Sequence, residues 1–413
     1  MPGVNAIVRN ASPAQRRTLL AAALGWMLDS FDVMLYALVV AHIMRDLHMS
    51  KPTVGLLNTL MLLASGAGGV LFGFLADRVG RTRALMLSIL TYSVCSFASG
   101  LSQSIAQLAL FRCLLGLGMG GEWNTGATLV AETWPTDLRA KALAIVQSSW
   151  AIGYALAALI AGIVLPFLSW RYVFFVGILP ALVTLWIRRR VPESEMWQAS
   201  RATQSARQAS SSAWQIIRPP LLRRTVTVLL VNFFGLFAWW GLFSWIPPYL
   251  SIPVAQGGRG FGVLSTTTLL LGLNLFGMLP GYTLFGWVAD WLGRKGAFVL
   301  YLGAAGVLVP VYARARAPWA IMVMGIVVAF FGTGFFSGSG LIASELFPTS
   351  LRARALGVTY SGARTLSAIA PFVIGAVGQR HGLDSAFYLC GLSFLCAAAM
   401  VLTLPETRGK ELE

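Results

Sequence analysis

The sequence predicts an all-α membrane protein, with twelve transmembrane helices arranged as two six-helix, pseudo-symmetric halves. Three observations predict it. Of 413 residues, 57% are hydrophobic and only 11% charged, with a mean hydropathy of +0.72. Soluble domains carry roughly 25% charged residues, and a disordered chain lacks this much apolar surface. The chain also holds twelve apolar stretches long enough to cross a bilayer, which takes about 20 residues each. Finally, landmarks of the first half recur in the second at one fixed offset.

The stretches fall at residues 19–40, 53–76, 83–101, 104–130, 141–165 and 170–188, then 225–250, 264–289, 296–313, 317–344, 355–378 and 383–404. They are numbered spans 1 to 12. The expected organisation is an N-terminal half over 1–188, a cytoplasmic linker over 189–222 rich in Ser, Gln and Arg, and a C-terminal half over 223–413. Residues 1–17 show no signal-peptide pattern, so span 1 is expected to be retained.

Charge orients the bundle. Lys and Arg outnumber Asp and Glu by 31 to 15. With both termini inside, 22 of the 31 cationic residues fall in inner segments and 7 in outer ones, while Arg112 and Arg364 lie within spans. Positively charged loops stay cytoplasmic. The expected location is therefore the plasma (inner) membrane, multi-pass, with both termini cytoplasmic and the lipid bilayer, not nucleic acid, as the basic chain's partner. The four cysteines, Cys95, Cys113, Cys390 and Cys396, sit inside apolar runs without metal-ligand spacing.

The repeat has three landmarks. Gly73-Phe-Leu-Ala-Asp77-Arg78-Val-Gly80-Arg81 recurs as Gly286-Trp-Val-Ala-Asp290-Trp-Leu-Gly293-Arg294. Glu132-Thr-Trp-Pro135-Thr-Asp-Leu-Arg139 recurs as Glu345-Leu-Phe-Pro348-Thr-Ser-Leu-Arg352, and Pro192-Glu193 as Pro405-Glu406. The offset is 213 in every case. Parallel six-span halves are the architecture of alternating-access carriers.

The segment from Gly73 to Arg83 resembles the signature loop of the major facilitator superfamily, and the resemblance extends over essentially the whole chain. Arg112-x-x-x-Gly116-x-Gly118 is similar to that family's fourth-helix motif. The Glu-x-x-Pro-x-x-x-Arg pairs and the terminal Pro405-Glu406-Thr407-Arg408-Gly409-Lys410 resemble the sugar-porter branch and its metabolite:proton symporter relatives. Asp29-Ser-Phe-Asp32 is similar to the Asp-Gly-Phe/Tyr-Asp motif of aromatic-acid:proton symporters, and Gly120-Gly-Glu122-Trp to sialate-type permeases.

Ionisable groups in hydrocarbon cost about 2.5–3.5 kcal/mol each by insertion scales, so each needs a reason. Asp29 and Asp32 are three apart and share a face of span 1. At 1.5 Å per residue, Asp32 lies roughly 20 Å above the inner boundary, and Arg112 in span 4 roughly 12 Å below the outer one. A pair between them is geometrically possible, and a conformational change that breaks it lets Asp32 take up a proton. The resemblance implies this role, since sugar porters couple protons through a span-1 aspartate and a span-4 arginine. The alternative is a permanent buried ion pair that only sets helix register. Asp29 and Glu122 are further candidate protonation sites, or satisfied polar contacts between helices.

Arg364 in span 11 has no counterpart in the first half, where Ala151 stands at the repeat position. Its guanidinium presents a planar fork matched to a carboxylate. Spans 7, 9 and 11 contain no acid, so Arg364 is expected to meet an anionic substrate rather than a protein partner. Gln147 and Tyr154, seven apart in span 5, share a face and match sugar-contacting positions of sugar porters. Tyr36 and Asn274 complete the expected substrate set. The span-7 aromatics, Trp239 and Trp240 among them, are expected mainly to pack or to face lipid.

The inner motifs have a different task. Gly73, Asp77, Arg78, Gly80, Arg81, Glu132 and Arg139, with Asp290, Arg294, Glu345 and Arg352, are expected to form ion-pair networks that set the conformational switch. Glu132 and Glu345 are assigned to Arg139 and Arg352.

The expected function is proton-coupled symport of a small organic anion, a monocarboxylate or an aromatic or sugar acid, by a monomer that uses the proton gradient and no cofactor. The alternative is a neutral sugar or polyol, which the absence of a Gln-Gln-x-Ser-Gly-x-Asn run in span 7 disfavours. Drug efflux is disfavoured by the lack of a span-5 proline, and an enzyme by the lack of any nucleotide loop, zinc spacing or hydrolase elbow.

Overall fold

The computed structural model describes residues 11–194, 198, 219, 221–347, 355 and 357–408. Most of the expected linker, Arg352 and Lys410 therefore lie outside the described residues. Among those described there is no strand.

The N-terminal half comprises span 1 (Pro13–Asp46), span 2 (Lys51–Val79), span 3 (Arg81–Gly100), span 4 (Ile105–Thr133) and span 5 (Thr136–Val164), then span 6 in two pieces, Trp170–Val176 and Pro180–Arg190. The C-terminal half begins with span 7, Leu221–Phe243 continued by Ile246–Ser251. Span 8 runs Val263–Gly272, a π-helical turn Leu273–Met278, and Leu279–Leu292. Spans 9, 10 and 12 are Arg294–Arg314, Pro318–Leu346 and Leu383–Leu402, and span 11 is Gly357–Ser361, Gly362–Ser367 and Ala370–His381.

The helices outrun their apolar windows because polar caps extend them. Ser12 and Gln15 form a reciprocal capping box at span 1, and Ser50, Ser104 and Ser169 cap spans 2, 4 and 6. The breaks in spans 6, 7, 8 and 11 fall next to Pro180, Pro247-Pro248, Pro280 and Pro371, where the ring removes a donor and crowds the preceding turn. Among the described residues, ten spans are long and apolar enough to cross a membrane by themselves; spans 3 and 4 are not. Span 4 carries Arg112, Glu122 and Glu132, and shields them by packing against spans 1, 2 and 3.

That packing is close. A Cβ on Gly116 would meet the Met61 carbonyl and one on Gly120 the Ser65 carbonyl, so spans 2 and 4 touch backbone to backbone. Large apolar side chains face outward elsewhere, Trp287 and Trp291 near one end of the bundle and Trp319 at the other, as aromatic belts do at a bilayer's edges.

An even number of spans puts both chain ends on one side, the terminus face. At mid-depth and toward the opposite face the halves are joined directly. The Tyr154 hydroxyl donates to the Phe243 carbonyl at 3.3 Å, and the Thr267 hydroxyl to the Ala158 carbonyl at 3.4 Å.

Candidate functional site

A narrow cavity of about 20 Å³, room for a water or two and no more, lies between the halves. Trp26 of span 1 and Gln147 and Trp150 of span 5 line it from the N-terminal half. Trp239 and Trp240 of span 7, Tyr282 of span 8, Phe336 of span 10 and Tyr360 and Arg364 of span 11 line it from the other. The rings form one continuous wall. Trp26 and Trp150 lie 4.8 Å apart, Trp150 meets Trp240 edge-on at 6.1 Å, and Trp239 meets Phe336 edge-on at 5.6 Å.

The wall is rich in unspent donors. The indole N–H groups of Trp26, Trp150 and Trp239 and Nη2 of Arg364 are buried without a hydrogen-bond partner. Buried donors of this kind are costly unless something accepts from them. The arrangement offers a flat apolar body a stacking surface and an anion several donors at once.

The acids close in from the N-terminal half. Asp29 lies one turn beyond Trp26, and both its carboxylate oxygens are buried without a partner, as is Oε2 of Glu122. Both groups are within electrostatic reach of Arg364 and of one another. Acids of spans 1 and 4 thus stand within electrostatic reach of Arg364 across the interface, but among the described residues neither forms an ion pair with it. A search confined to the C-terminal half could not find them.

Asp32 and Arg112 are near one another but form no ion pair. Asp32 accepts from the Ser96 hydroxyl of span 3 at 2.9 Å. Arg112 lies over the Tyr36 ring, 4.5 Å from its centroid, and Nη2 contacts the Met61 sulfur at 2.8 Å. The helix-depth estimate put them at one level but said nothing about which side of each helix they occupy.

Of the expected substrate residues, Arg364 and Gln147 line the cavity, and Gln147 reaches the Tyr282 hydroxyl of the other half. Tyr154, Tyr36 and Asn274 do not line it. Each donates to a backbone carbonyl, Tyr154 to Phe243, Tyr36 to Val54 at 3.2 Å and Asn274 to Leu270 at 2.8 Å, while Oδ1 of Asn274 stays buried without a partner. The tryptophans were missed because their spacing reads equally well as packing.

The terminus face repeats one network twice. Arg81 pairs with Asp77 at 2.5 Å and Glu132 at 3.2 Å, and Arg294 with Asp290 at 2.6 Å and Glu345 at 3.2 Å. The acids thus take the signature-loop arginine rather than Arg139, whose Nε is buried without a partner. Glu193 accepts from the Arg81 and Thr82 N–H groups that open span 3, and Glu406 from those of Arg294 and Lys295 that open span 9. Partial burial of Glu406 opposes its charged form, but backbone N–H groups of Arg408, Arg294, Lys295 and Thr407 outweigh it and hold the carboxyl below the usual range. Gly80 and Gly293, with φ of 106° and 84°, make the turns between, which side chains avoid. Each network joins helices of a single half.

Two pseudo-symmetric helical halves around a central cavity define a polytopic membrane carrier. Residues 22–264 and 252–413 match the Major Facilitator Superfamily. The chain belongs to that superfamily and is a transporter, not an enzyme. It is 32% identical over 97% of its length, and 93% of the relative's, to a probable 4-methylmuconolactone transporter of Cupriavidus pinatubonensis. It is 30% identical to the cis,cis-muconate transport protein of Acinetobacter baylyi, with 96% of each chain covered. It is 31% identical to the sialic acid transporter NanX of Escherichia coli, covering 94% of this chain and 93% of that one. A solved D-xylose-proton symporter superposes with a TM-score of 0.77 at 19% identity, covering 96% of this chain and 99% of that one; at that identity it shows the fold alone.

Proposed function

We propose that this transporter carries a small organic anion, with a carboxylate and a flat apolar body, together with a proton. The observation that carries the reading is the cavity, where Nη2 of Arg364 and three indole N–H groups stand without acceptors against a wall of tryptophan. The names of the relatives support it, since muconolactone, muconate and sialic acid are or derive from organic acids.

The proton is assigned to Asp29, Glu122 and Asp32. Carboxylate oxygens buried without donors are sustained in hydrocarbon only as the neutral acid or beside a cation. Arg364 is the cation that Asp29 and Glu122 share with the incoming substrate. An anion that takes the guanidinium leaves those acids to be neutralised by protons. This exchange ties substrate binding to proton uptake, with the gradient as energy source and no cofactor.

The terminus face is assigned to the cytoplasm of the inner membrane by the bias of Lys and Arg. One chain holds both halves and a whole cavity, so the working unit is a monomer.

Thermal-shift screening of purified wild type beside Arg364→Ala, against carboxylates and neutral sugars at pH 5.5 and 7.5, tests the anion site. A ligand that binds the folded state raises its apparent stability. Stabilisation by a carboxylate in wild type alone is expected. Stabilisation by a neutral sugar in both proteins would sink the reading.

A further inference from the structure

Lys51 opens span 2 on the face opposite the chain ends and is only 6% exposed. Its ammonium donates to two backbone carbonyls of the other half, Gln256 at 2.6 Å and Gly378 at 3.2 Å. Both carbonyls end helical segments. Gln256 closes the short turn Val254–Gln256, and Gly378 lies in the last turn of Ala370–His381. Final carbonyls of a helix lack intrahelical donors and carry the negative end of its dipole. The Lys51 N–H also reaches Oε1 of Gln379 at 3.4 Å.

Backbones meet at this place. A Cβ on Gly375 would come within 2.6 Å of the Lys51 carbonyl, so spans 2 and 11 have no room for a side chain between them. Asp384, at the start of span 12, acts on the ammonium electrostatically without forming an ion pair. Lys51 is thus the charge that fastens the N-terminal half to two separate segments of the C-terminal half.

We propose that Lys51 is the latch of the opposite-face gate, capping two helix ends of the other half while that gate is shut and returning to water when it opens. Removing the ammonium strands two carbonyls in the shut state, whereas the open state hydrates them. The substitution therefore destabilises one conformation selectively and shifts the equilibrium between them.

Hydrogen–deuterium exchange on the full-length protein in lipid nanodiscs tests this without any substrate. Wild type is compared with Lys51→Met and with Lys51→Arg, which keeps the charge. In Lys51→Met, exchange over residues 51–57 and 371–379 is expected to rise roughly tenfold, the scale of one charged hydrogen bond. Exchange over the span 4–5 turn, residues 133–139, is expected to fall, because the two gates of a rocking carrier alternate. Lys51→Arg should keep the wild-type pattern. Should Lys51→Met not fold, Lys51→Gln keeps a donor without the charge and should show a smaller shift of the same two signs. Unchanged exchange in the opposite-face segments overturns the proposal, and so does a rise there without the reciprocal fall, which marks local fraying.

Discussion

The guanidinium of Arg112 rests on the ring of Tyr36, 4.5 Å from its centroid, and not on the carboxylate of Asp32. Asp32 instead holds the hydroxyl of Ser96. A cation over an aromatic face in a dry site is stabilised by about 2 kcal/mol, so neither Arg112 nor Asp32 depends on the other as an ion-pair partner.

Asp32→Asn is accordingly expected to abolish uphill uptake while leaving substrate exchange across proteoliposomes measurable. Asparagine keeps the hydrogen bond to Ser96, so the fold should persist. Loss of both activities in a protein of wild-type thermal stability would count against the assignment.

Trp150→Phe keeps a ring in the wall but removes one unspent N–H. A hydrogen bond to a charged acceptor contributes about 1.5–3 kcal/mol, so carboxylate affinity should fall by at least tenfold with little change in stability. Titration calorimetry on both proteins reads this directly. An unchanged affinity places the carboxylate away from Trp150.

Gly120→Ala sets a methyl against the Ser65 carbonyl and the Gly69 nitrogen of span 2. Overpacking of this kind costs about 1–3 kcal/mol. A lowered unfolding temperature in detergent is expected, whereas Gly73→Ala, where a Cβ meets nothing within 4 Å, should leave it unchanged.

Glu406 offers a pH test. Its folded-state carboxyl sits below the usual range, so it binds its proton less readily in the native state than unfolded. The stability it contributes is complete above the unfolded value of about 4.3 and is lost as pH falls through the folded one. Wild type should therefore exceed Glu406→Gln in stability at neutral pH, and the two curves should converge on acidification below about pH 4. A gap that stays constant with pH would show that the contribution is not the carboxylate's.

The terminus-face networks were legible in the repeat, although their partners were not. Both halves showed an Asp-x-x-x-Arg at the end of a span and a Glu elsewhere, and the structure unites all three on one guanidinium. Glu132 was expected to join Arg139 in such a network, but the chain turns at Pro135 between them and Glu132 meets Arg81 instead. Lys51 was legible only as one more outer charge, since its carbonyl partners carry no side-chain signature.

The order of residues by itself determined the class of fold, the two halves and the buried charges. Those depend on apolar length, a fixed repeat offset and the cost of charge in hydrocarbon, all of which are properties of single segments. Only the tertiary structure decided which residues make the site. Trp26, Trp150, Trp239 and Trp240 line the cavity while Trp287, Trp291 and Trp319 face outward, yet all seven occupy apolar helices. An indole satisfies lipid and a binding wall equally well, and which of the two it meets depends on how the helices pack across the halves.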